Sequence, residues 1–129
     1  MQTFLIADDS REKILMLRHF LKIAHWPGEI VTAMTCAEAY DVIAERSDIT
    51  CAFVDYYIPA DNGPAIIRCL KDAFPSCRVA LVSSAENQQN SAEARAAGAE
   101  AVLCTSHRSD LVEAAVLEVL REWMQPSGG

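Results

Sequence analysis

Short apolar runs alternate with amphipathic segments along the whole chain. Four runs are apolar at nearly every position, as in strands buried on both faces of a sheet. They cover residues 4–7, 51–54, 79–82 and 101–104. A fifth run, residues 29–34, mixes apolar and polar positions and is typical of an outer strand. The pattern therefore predicts five short strands.

The segments between these runs carry apolar residues at helical spacing. We predict five helices: about residues 11–24, a helix after the capping-box pair Thr35 and Glu38, a helix from Gly63-Pro64 to just before Pro75, about residues 87–97 ending at Gly98, and a last helix through Val112 and Trp123 that stops at Pro126. Five strand–helix units predict an α/β fold with a doubly wound, flavodoxin-like parallel sheet. We expect the strand order 2-1-3-4-5, with two helices on one face and three on the other.

The length of 129 residues suits one domain. We assign residues 1–125 to that domain and residues 126–129 to a flexible tail or the start of a linker. The first apolar run has no basic residue before it and meets two aspartates at once, unlike a signal peptide. Because no apolar run approaches the ~20 residues that span a bilayer, we expect no membrane association.

The net charge is −7, and the basic residues are scattered rather than clustered. Direct nucleic-acid binding is therefore not expected, because phosphate contacts require clustered Lys and Arg. The five cysteines include no C-x-x-C pair, which argues against a zinc site and favours free thiols. Free thiols are typical of a reducing compartment, so we expect a cytoplasmic protein.

Acidic residues stand where two central strands are predicted to end. Asp8 and Asp9 follow the first strand, and Asp55 ends the third. In the expected order these strands are neighbours, so the three carboxylates should meet in one crevice and repel one another. A hard cation such as Mg²⁺ would remove that repulsion and help Asp55 to attack a phosphoryl group. Ser83, after the fourth strand, could then donate a hydrogen bond to a phosphoryl oxygen.

Each of these residues also has an ordinary structural interpretation. Asp9 or Ser10 could simply cap the first helix, and Ser83 could be a turn residue. The joint placement of the acidic residues and Ser83 at strand ends favours the functional hypothesis.

The same segments resemble the bacterial response-regulator receiver family, of the chemotaxis-regulator type, along the whole chain. The resemblance rests on four segments: residues 4–10 (FLIADDS), residues 54–59 (VDYYIP) with Gly63 four positions later, residues 81–85 (LVSSA) and residues 96–99 (AAGA). Each motif is weak alone, and their combination is specific.

The resemblance implies that Asp55 is the phospho-acceptor and that Ser83 is the switch hydroxyl. Asp9 and Asp55 would bind Mg²⁺ directly, Asp8 mainly through water, and Tyr57 through its backbone carbonyl. The phosphoryl donor would be a sensor histidine kinase or a phosphotransfer protein. The signal would pass to an unknown downstream protein or output domain. Such a domain is not an enzyme in its own right.

Two positions depart from the family pattern. The Lys-Pro pair that ends the fifth strand is replaced by Thr105 and Ser106, and the aromatic switch position carries Val102. We therefore expect weaker coupling to the fifth strand, with the signal passing through the fourth helix alone or with another cation replacing the Lys. The candidate cations are Arg11, His107 and Arg108.

Other functions remain as alternatives. A pseudo-receiver would bind partners with little or no phosphorylation, and the two departures favour it. A haloacid-dehalogenase-like phosphatase needs an acid where Tyr57 stands, and a flavodoxin-like electron carrier needs a phosphate-binding loop where residues 8–10 place two aspartates. A dinucleotide-binding protein needs a G-x-G-x-x-G motif, which the chain lacks.

Overall fold

A computed structural model of the chain describes residues 2–125. The predicted tail, residues 126–129, lies outside the described residues. The strands are β1 (Thr3–Ala7), β2 (Glu29–Ala33), β3 (Ile49–Val54), β4 (Tyr57–Ile58), β5 (Asp61–Asn62), β6 (Arg78–Ser83) and β7 (Ala101–Cys104). The helices are α1 (Arg11–Ile23), α2 (Cys36–Glu45), α3 (Gly63–Ala73), α4 (Gln88–Ala97) and α5 (Ser109–Met124).

Five strands form one parallel sheet in the order β2-β1-β3-β6-β7. These are the five predicted strands, so the predicted order 2-1-3-4-5 is confirmed. The apolar β1 and β3 lie side by side in the centre, and Ala7 pairs with Val54 at their carboxyl ends. On the other side of β3, Val54 pairs with Leu81 of β6. The residues that follow β1, β3 and β6 therefore emerge at one edge of the sheet.

A two-stranded hairpin, β4 and β5, was not predicted. Tyr57 pairs with Asn62 and Ile58 with Asp61 in antiparallel fashion, outside the main sheet. The turn between these strands is Pro59-Ala60, and Ala60 has a φ of 82°. A Pro followed by a residue with positive φ is the pattern of a type II turn. The hairpin lies directly after Asp55 and shapes the loop at the sheet edge.

The helices cover both faces of the sheet in the predicted two-and-three division. Helices α1 and α5 pack on one face over a core that includes Phe4, Phe53 and Trp123. Helices α2, α3 and α4 pack on the other face over a core that includes Leu5 and Leu81. No helix within residues 2–125 combines the length and the apolar character needed to cross a membrane.

Side-chain caps begin α1 and α2 and so define where the loops after β1 and β2 end. Ser10 Oγ accepts a hydrogen bond from Lys13 N, and Thr35 Oγ1 accepts one from Glu38 N. The Glu38 carboxylate accepts from Met34 N, one residue before the position that a capping box would use. These caps satisfy amide groups that have no partner inside the helix.

Candidate functional site

The three predicted carboxylates lie together at the carboxyl edge of the sheet. Asp8, Asp9 and Asp55 each offer one oxygen, and these oxygens lie within 4.8 Å of one another. Asp8 and Asp55 are buried, with 1% and 7% of their surface exposed, whereas Asp9 is exposed. The structure therefore produces an acidic crevice with a buried floor and one carboxylate open to solvent.

Backbone contacts hold the two buried carboxylates in place. The amide of Asp55 donates to Ala7 O at 2.9 Å, which continues the pairing of β1 and β3 by one residue. Tyr56 N donates to Asp55 Oδ1 at 2.9 Å, and Ser10 N donates to Asp8 Oδ1 at 2.8 Å. Each carboxylate thus has one oxygen fixed by a backbone amide.

Lys13 also reaches into this crevice from the first turn of α1. Its Nζ lies 2.8 Å from Asp8 Oδ2 and 3.2 Å from Asp55 Oδ1. It donates a hydrogen bond of 3.0 Å to the carbonyl oxygen of Val82 in β6. Only the contact with Val82 has the geometry of a hydrogen bond; the two carboxylate contacts are ion pairs. Lys13 therefore partly compensates the negative charge of the crevice.

Burial is the largest influence on the acidity of Asp55. Desolvation raises the pKa of its carboxyl group, because the charged form loses hydration in the crevice. The ammonium of Lys13 opposes this effect, and the negative charge of Asp8 adds to it. The net result is a pKa above the usual range.

The donor set fits a hard divalent cation. All three side chains offer carboxylate oxygens, the ligands that Mg²⁺ and Ca²⁺ prefer. Asp8 Oδ2 is fully buried and accepts no hydrogen bond from the described residues, and its charged partner is the ammonium group of Lys13 at 2.8 Å. A carboxylate oxygen still has lone pairs beyond this ion pair, so it can also accept a hydrogen bond from a cation-bound water.

The loop after Asp55 is closed tightly by Gly63 at the start of α3. Gly63 N donates to Tyr56 O at 2.8 Å. A Cβ atom on Gly63 would lie 2.2 Å from the carbonyl oxygen of Asp55. Only glycine fits at this position, eight residues after Asp55.

Comparison with known proteins agrees with this geometry. The model of the response regulator receiver domain family matches residues 4–116. The chain belongs to the response regulator receiver family. A search of curated proteins found no match.

Solved structures of receiver domains share the fold over almost the whole chain. The phosphorylated cyanobacterial phytochrome response regulator RcpA is 16% identical, with a TM-score of 0.84, over 98% of this chain and 96% of that chain. A CheY-like receiver domain protein from Methanospirillum hungatei JF-1 is 20% identical, with a TM-score of 0.77, over 95% and 96%. A response regulator from Burkholderia pseudomallei, solved with a phosphorylated aspartic acid, calcium ion and citrate, is 21% identical, with a TM-score of 0.74, over 96% and 74%.

The other predicted site residues of the receiver lie around the same edge. Ser83 ends β6 and is 2% exposed; it lies two residues beyond the pair of Val54 with Leu81. Its Oγ accepts a hydrogen bond from Ala85 N at 3.2 Å. Tyr57 begins β4, two residues after Asp55, and its phenol accepts a hydrogen bond from Asn90 Nδ2. The use of its carbonyl as a metal ligand stays a prediction.

The three cations considered as replacements for the missing Lys are not in the crevice. Among residues 2–125, Lys13 is the only basic side chain within 4.0 Å of Asp8 or Asp55. Arg108 pairs with Asp110, His107 lies 3.9 Å from Glu86, and Arg11 is exposed.

Sequence reasoning missed Lys13, although one signal was present. Lys13 is the third residue after the cap Ser10, at a helix start where the dipole disfavours positive charge. A lysine at this position, four residues after Asp9, favours a nearby anion.

Proposed function

We propose that this receiver domain accepts a phosphoryl group on Asp55 from a sensor histidine kinase or a phosphotransfer protein, with Mg²⁺ as the cofactor. The observation that carries the proposal is the meeting of Asp8, Asp9 and Asp55 at the ends of two central strands. Asp55 is the only one of the three that follows the central β3 and precedes the loop closed by Gly63.

The two oxygens of Asp55 are suited to different roles. Oδ1 accepts from Tyr56 N and lies beside Lys13 Nζ. Oδ2 is free of these contacts and is the nucleophile in the proposed reaction. Its electron pair forms a bond to phosphorus while the phosphorus–nitrogen bond of a phosphohistidine breaks. The leaving imidazole keeps the electron pair of the broken phosphorus–nitrogen bond and takes a proton from solvent.

Asp9 and Asp55 would hold the Mg²⁺, with Asp8 acting mainly through water and Tyr57 contributing its carbonyl oxygen. The bound cation supplies positive charge to the phosphoryl oxygens during transfer. The clustering of the three carboxylates supports this assignment, because their oxygens lie within 4.8 Å of one another and Lys13 pairs with only two of them.

Ser83 is the switch hydroxyl in this proposal. Its Oγ already accepts from Ala85 N, so the hydroxyl hydrogen can be donated to a phosphoryl oxygen on the neighbouring strand end. The phosphorylated aspartic acid and calcium ion of the Burkholderia pseudomallei response regulator support the proposed chemistry by analogy.

The wider role follows from the same proposal. Residues 1–125 act as the receiver domain and pass the signal to a downstream protein or output domain, without catalysis on a separate substrate. A cytoplasmic location fits the five free cysteines of the described chain.

Intact-mass measurement after incubation with Mg²⁺ and acetyl phosphate tests the proposal. Wild type should gain the mass of one phosphoryl group, and Asp55→Asn should not. Asp72→Asn, which removes an exposed carboxylate from α3, is the matched control and should behave as wild type. A phosphoryl adduct of equal yield on Asp55→Asn would refute the assignment.

A receiver that binds partners without phosphorylation is the second candidate. Thr105, directly after β7, favours it, because its side chain is short and neutral and donates a hydrogen bond to the carbonyl oxygen of Ser83. Absence of the adduct in wild type, with the adduct appearing in Thr105→Lys, would favour this candidate.

A further inference from the structure

We propose that Lys13 is the residue whose ammonium group contacts the phosphoryl group on Asp55, so that the cationic contact comes from α1. This inference rests on the proposed function of Asp55 as acceptor. It adds a phosphoryl-contacting residue that the end of β7, with its neutral Thr105, does not provide.

The position of Lys13 is defined by contacts with three strand ends. Its Nζ lies beside Asp8 after β1, beside Asp55 after β3, and on the carbonyl of Val82 in β6. The side chain is 15% exposed, so it lies along the wall of the crevice. An ammonium group that is already 3.2 Å from Asp55 Oδ1 lies within one hydrogen-bond length of the region that phosphoryl oxygens would enter.

The electrostatics of the crevice favour a change of partner for Lys13 Nζ, from the carboxylates of Asp8 and Asp55 to a phosphoryl group. Among the described residues, Lys13 supplies the one ammonium group of a cluster of three carboxylates and pairs with Asp8 and Asp55. A phosphoryl group brings roughly −1.5 to −2 charges with three strong acceptor oxygens. A lysine ammonium has three donors on a flexible stem. One donor is occupied by Val82 O, which anchors Nζ, so the others can turn from the carboxylates to a phosphoryl oxygen.

The alternative role for Lys13 is purely structural. In that case it would only neutralise Asp8 and Asp55 and hold α1 against β6 through Val82. Its place at the start of α1, where the helix dipole opposes a positive charge, is compatible with both roles. The experiment must therefore separate a contact with the phosphoryl group from a contribution to folding.

Beryllofluoride, an analogue of the phosphoryl group, is the probe. Its affinity is measured by fluorine NMR at saturating Mg²⁺ for wild type, Lys13→Met, Lys13→Arg and Lys22→Met. Lys13→Met should bind roughly tenfold to a hundredfold more weakly, the range expected for loss of one charged hydrogen bond. Lys13→Arg should keep most of the affinity. Lys22→Met, which removes an exposed lysine from the last turn of the same helix, should bind like wild type.

A rescue variant separates the two roles. Adding Thr105→Lys to Lys13→Met supplies an ammonium group from the end of β7, and it should restore most of the lost affinity. Thermal unfolding of each variant reports folding; if Lys13→Met is not folded, Lys13→Gln takes its place. Affinity of Lys13→Met equal to that of wild type, or a loss that neither Lys13→Arg nor Thr105→Lys repairs, overturns the proposal.

The outcome also separates this inference from the proposed function. If wild type binds beryllofluoride and Asp55→Asn does not, the function of Asp55 stands whatever Lys13→Met does. If wild type does not bind beryllofluoride at saturating Mg²⁺, the proposed function fails and the role of Lys13 fails with it.

Discussion

The phenol of Tyr56 donates a 2.6 Å hydrogen bond to Glu93 Oε2 and so ties the residue after Asp55 to α4. Tyr57 makes a second contact with α4, since its phenol accepts from the buried Asn90 at 3.3 Å. The two rings pack edge to face with centroids 4.8 Å apart. The hydrogen bond to Glu93 also raises the pKa of Tyr56. The acceptor loop and α4 are thus linked by side chains, independently of β7.

This link predicts the effect of Tyr56→Phe. The variant keeps the ring and loses the bond to Glu93, so a change at Asp55 should be transmitted less to α4. Amide shift changes in α4 on adding beryllofluoride should be smaller than in wild type, while affinity for beryllofluoride stays the same. Tyr40→Phe, which loses a bond to Asp61 instead, is the control. Unchanged shifts of α4 in Tyr56→Phe would show that the bond carries no signal.

Gly63→Ala should disturb the acceptor loop directly. The added Cβ would lie 2.2 Å from the carbonyl oxygen of Asp55, and backbone rather than a flexible side chain would have to move. We expect a loss of stability of about 1–3 kcal/mol, the usual cost of overpacking, together with weaker beryllofluoride binding. Chemical denaturation measures the first and fluorine NMR the second. Ala65→Gly, in the same turn of α3, should lower stability without moving Asp55. Wild-type stability in Gly63→Ala would contradict the close approach.

Asp9 is the exposed member of the acidic cluster, and Asp9→Asn should weaken Mg²⁺ binding. Loss of a negatively charged ligand should lower the affinity for Mg²⁺ by roughly tenfold or more. Mutation of a residue that only hydrogen-bonds to a metal ligand already has an effect of that size. Titration of Mg²⁺ followed by the amide shifts of residues 54–58 gives the affinity. Asp41→Asn, an exposed carboxylate in α2, is the control. Equal responses of wild type and Asp9→Asn would place the cation elsewhere.

The main sheet and the acidic cluster could be predicted from the sequence because both follow from strand ends. Four apolar runs define the buried strands, and parallel pairing brings the residues after β1 and β3 to one edge. The meeting of Asp8 with Asp55 therefore follows from the strand pattern and the strand order alone.

The hairpin of β4 and β5 and the role of Lys13 could not be predicted in the same way. A strand of two residues has too few positions to show a period, and its turn uses Ala60 at a φ where glycine is the usual signal. The contacts of Lys13 depend on how α1 docks on the sheet and on the reach of a long side chain to Val82. A lysine near a helix start indicates a nearby anion, but it does not indicate which groups that lysine contacts.

The cysteines should differ strongly in reactivity. Burial raises the pKa of Cys51 to about 11 and that of Cys77 to about 12, so at pH 8 both stay protonated and shielded. Cys104 is partly exposed at the end of β7. Iodoacetamide should therefore label Cys104 in the folded protein, and Cys51 and Cys77 only after denaturation, as followed by peptide mass spectrometry. Similar labelling rates for all three before denaturation would contradict their burial.

The fifth strand of the sheet, β7, is expected to respond weakly when Asp55 is modified. Val102 lies beside a cavity of about 240 Å³ between α4, β7 and α5, and it has no ring that could move into this space. Thr105 hydrogen-bonds to Ser83 O of β6, by its amide at 2.9 Å and its hydroxyl at 3.4 Å. Both contacts are neutral, so the charge at Asp55 has no charged partner on β7.

We therefore predict that beryllofluoride shifts the amide resonances of residues 56–58 and α4 more than those of β7 and α5. Thr105→Lys should extend the shifts into β7 and α5, because an ammonium group there would contact the added anion. A gain of about 1–2 kcal/mol in coupling would correspond to a change of roughly tenfold in the active population. Thr105→Val, which removes only the hydroxyl, is the control and should leave the shifts of β7 small. If wild type already shows shifts across β7 and α5 as large as those of Thr105→Lys, the weak coupling proposed for β7 is wrong. The signal would then pass from Asp55 to β7 without a lysine at position 105.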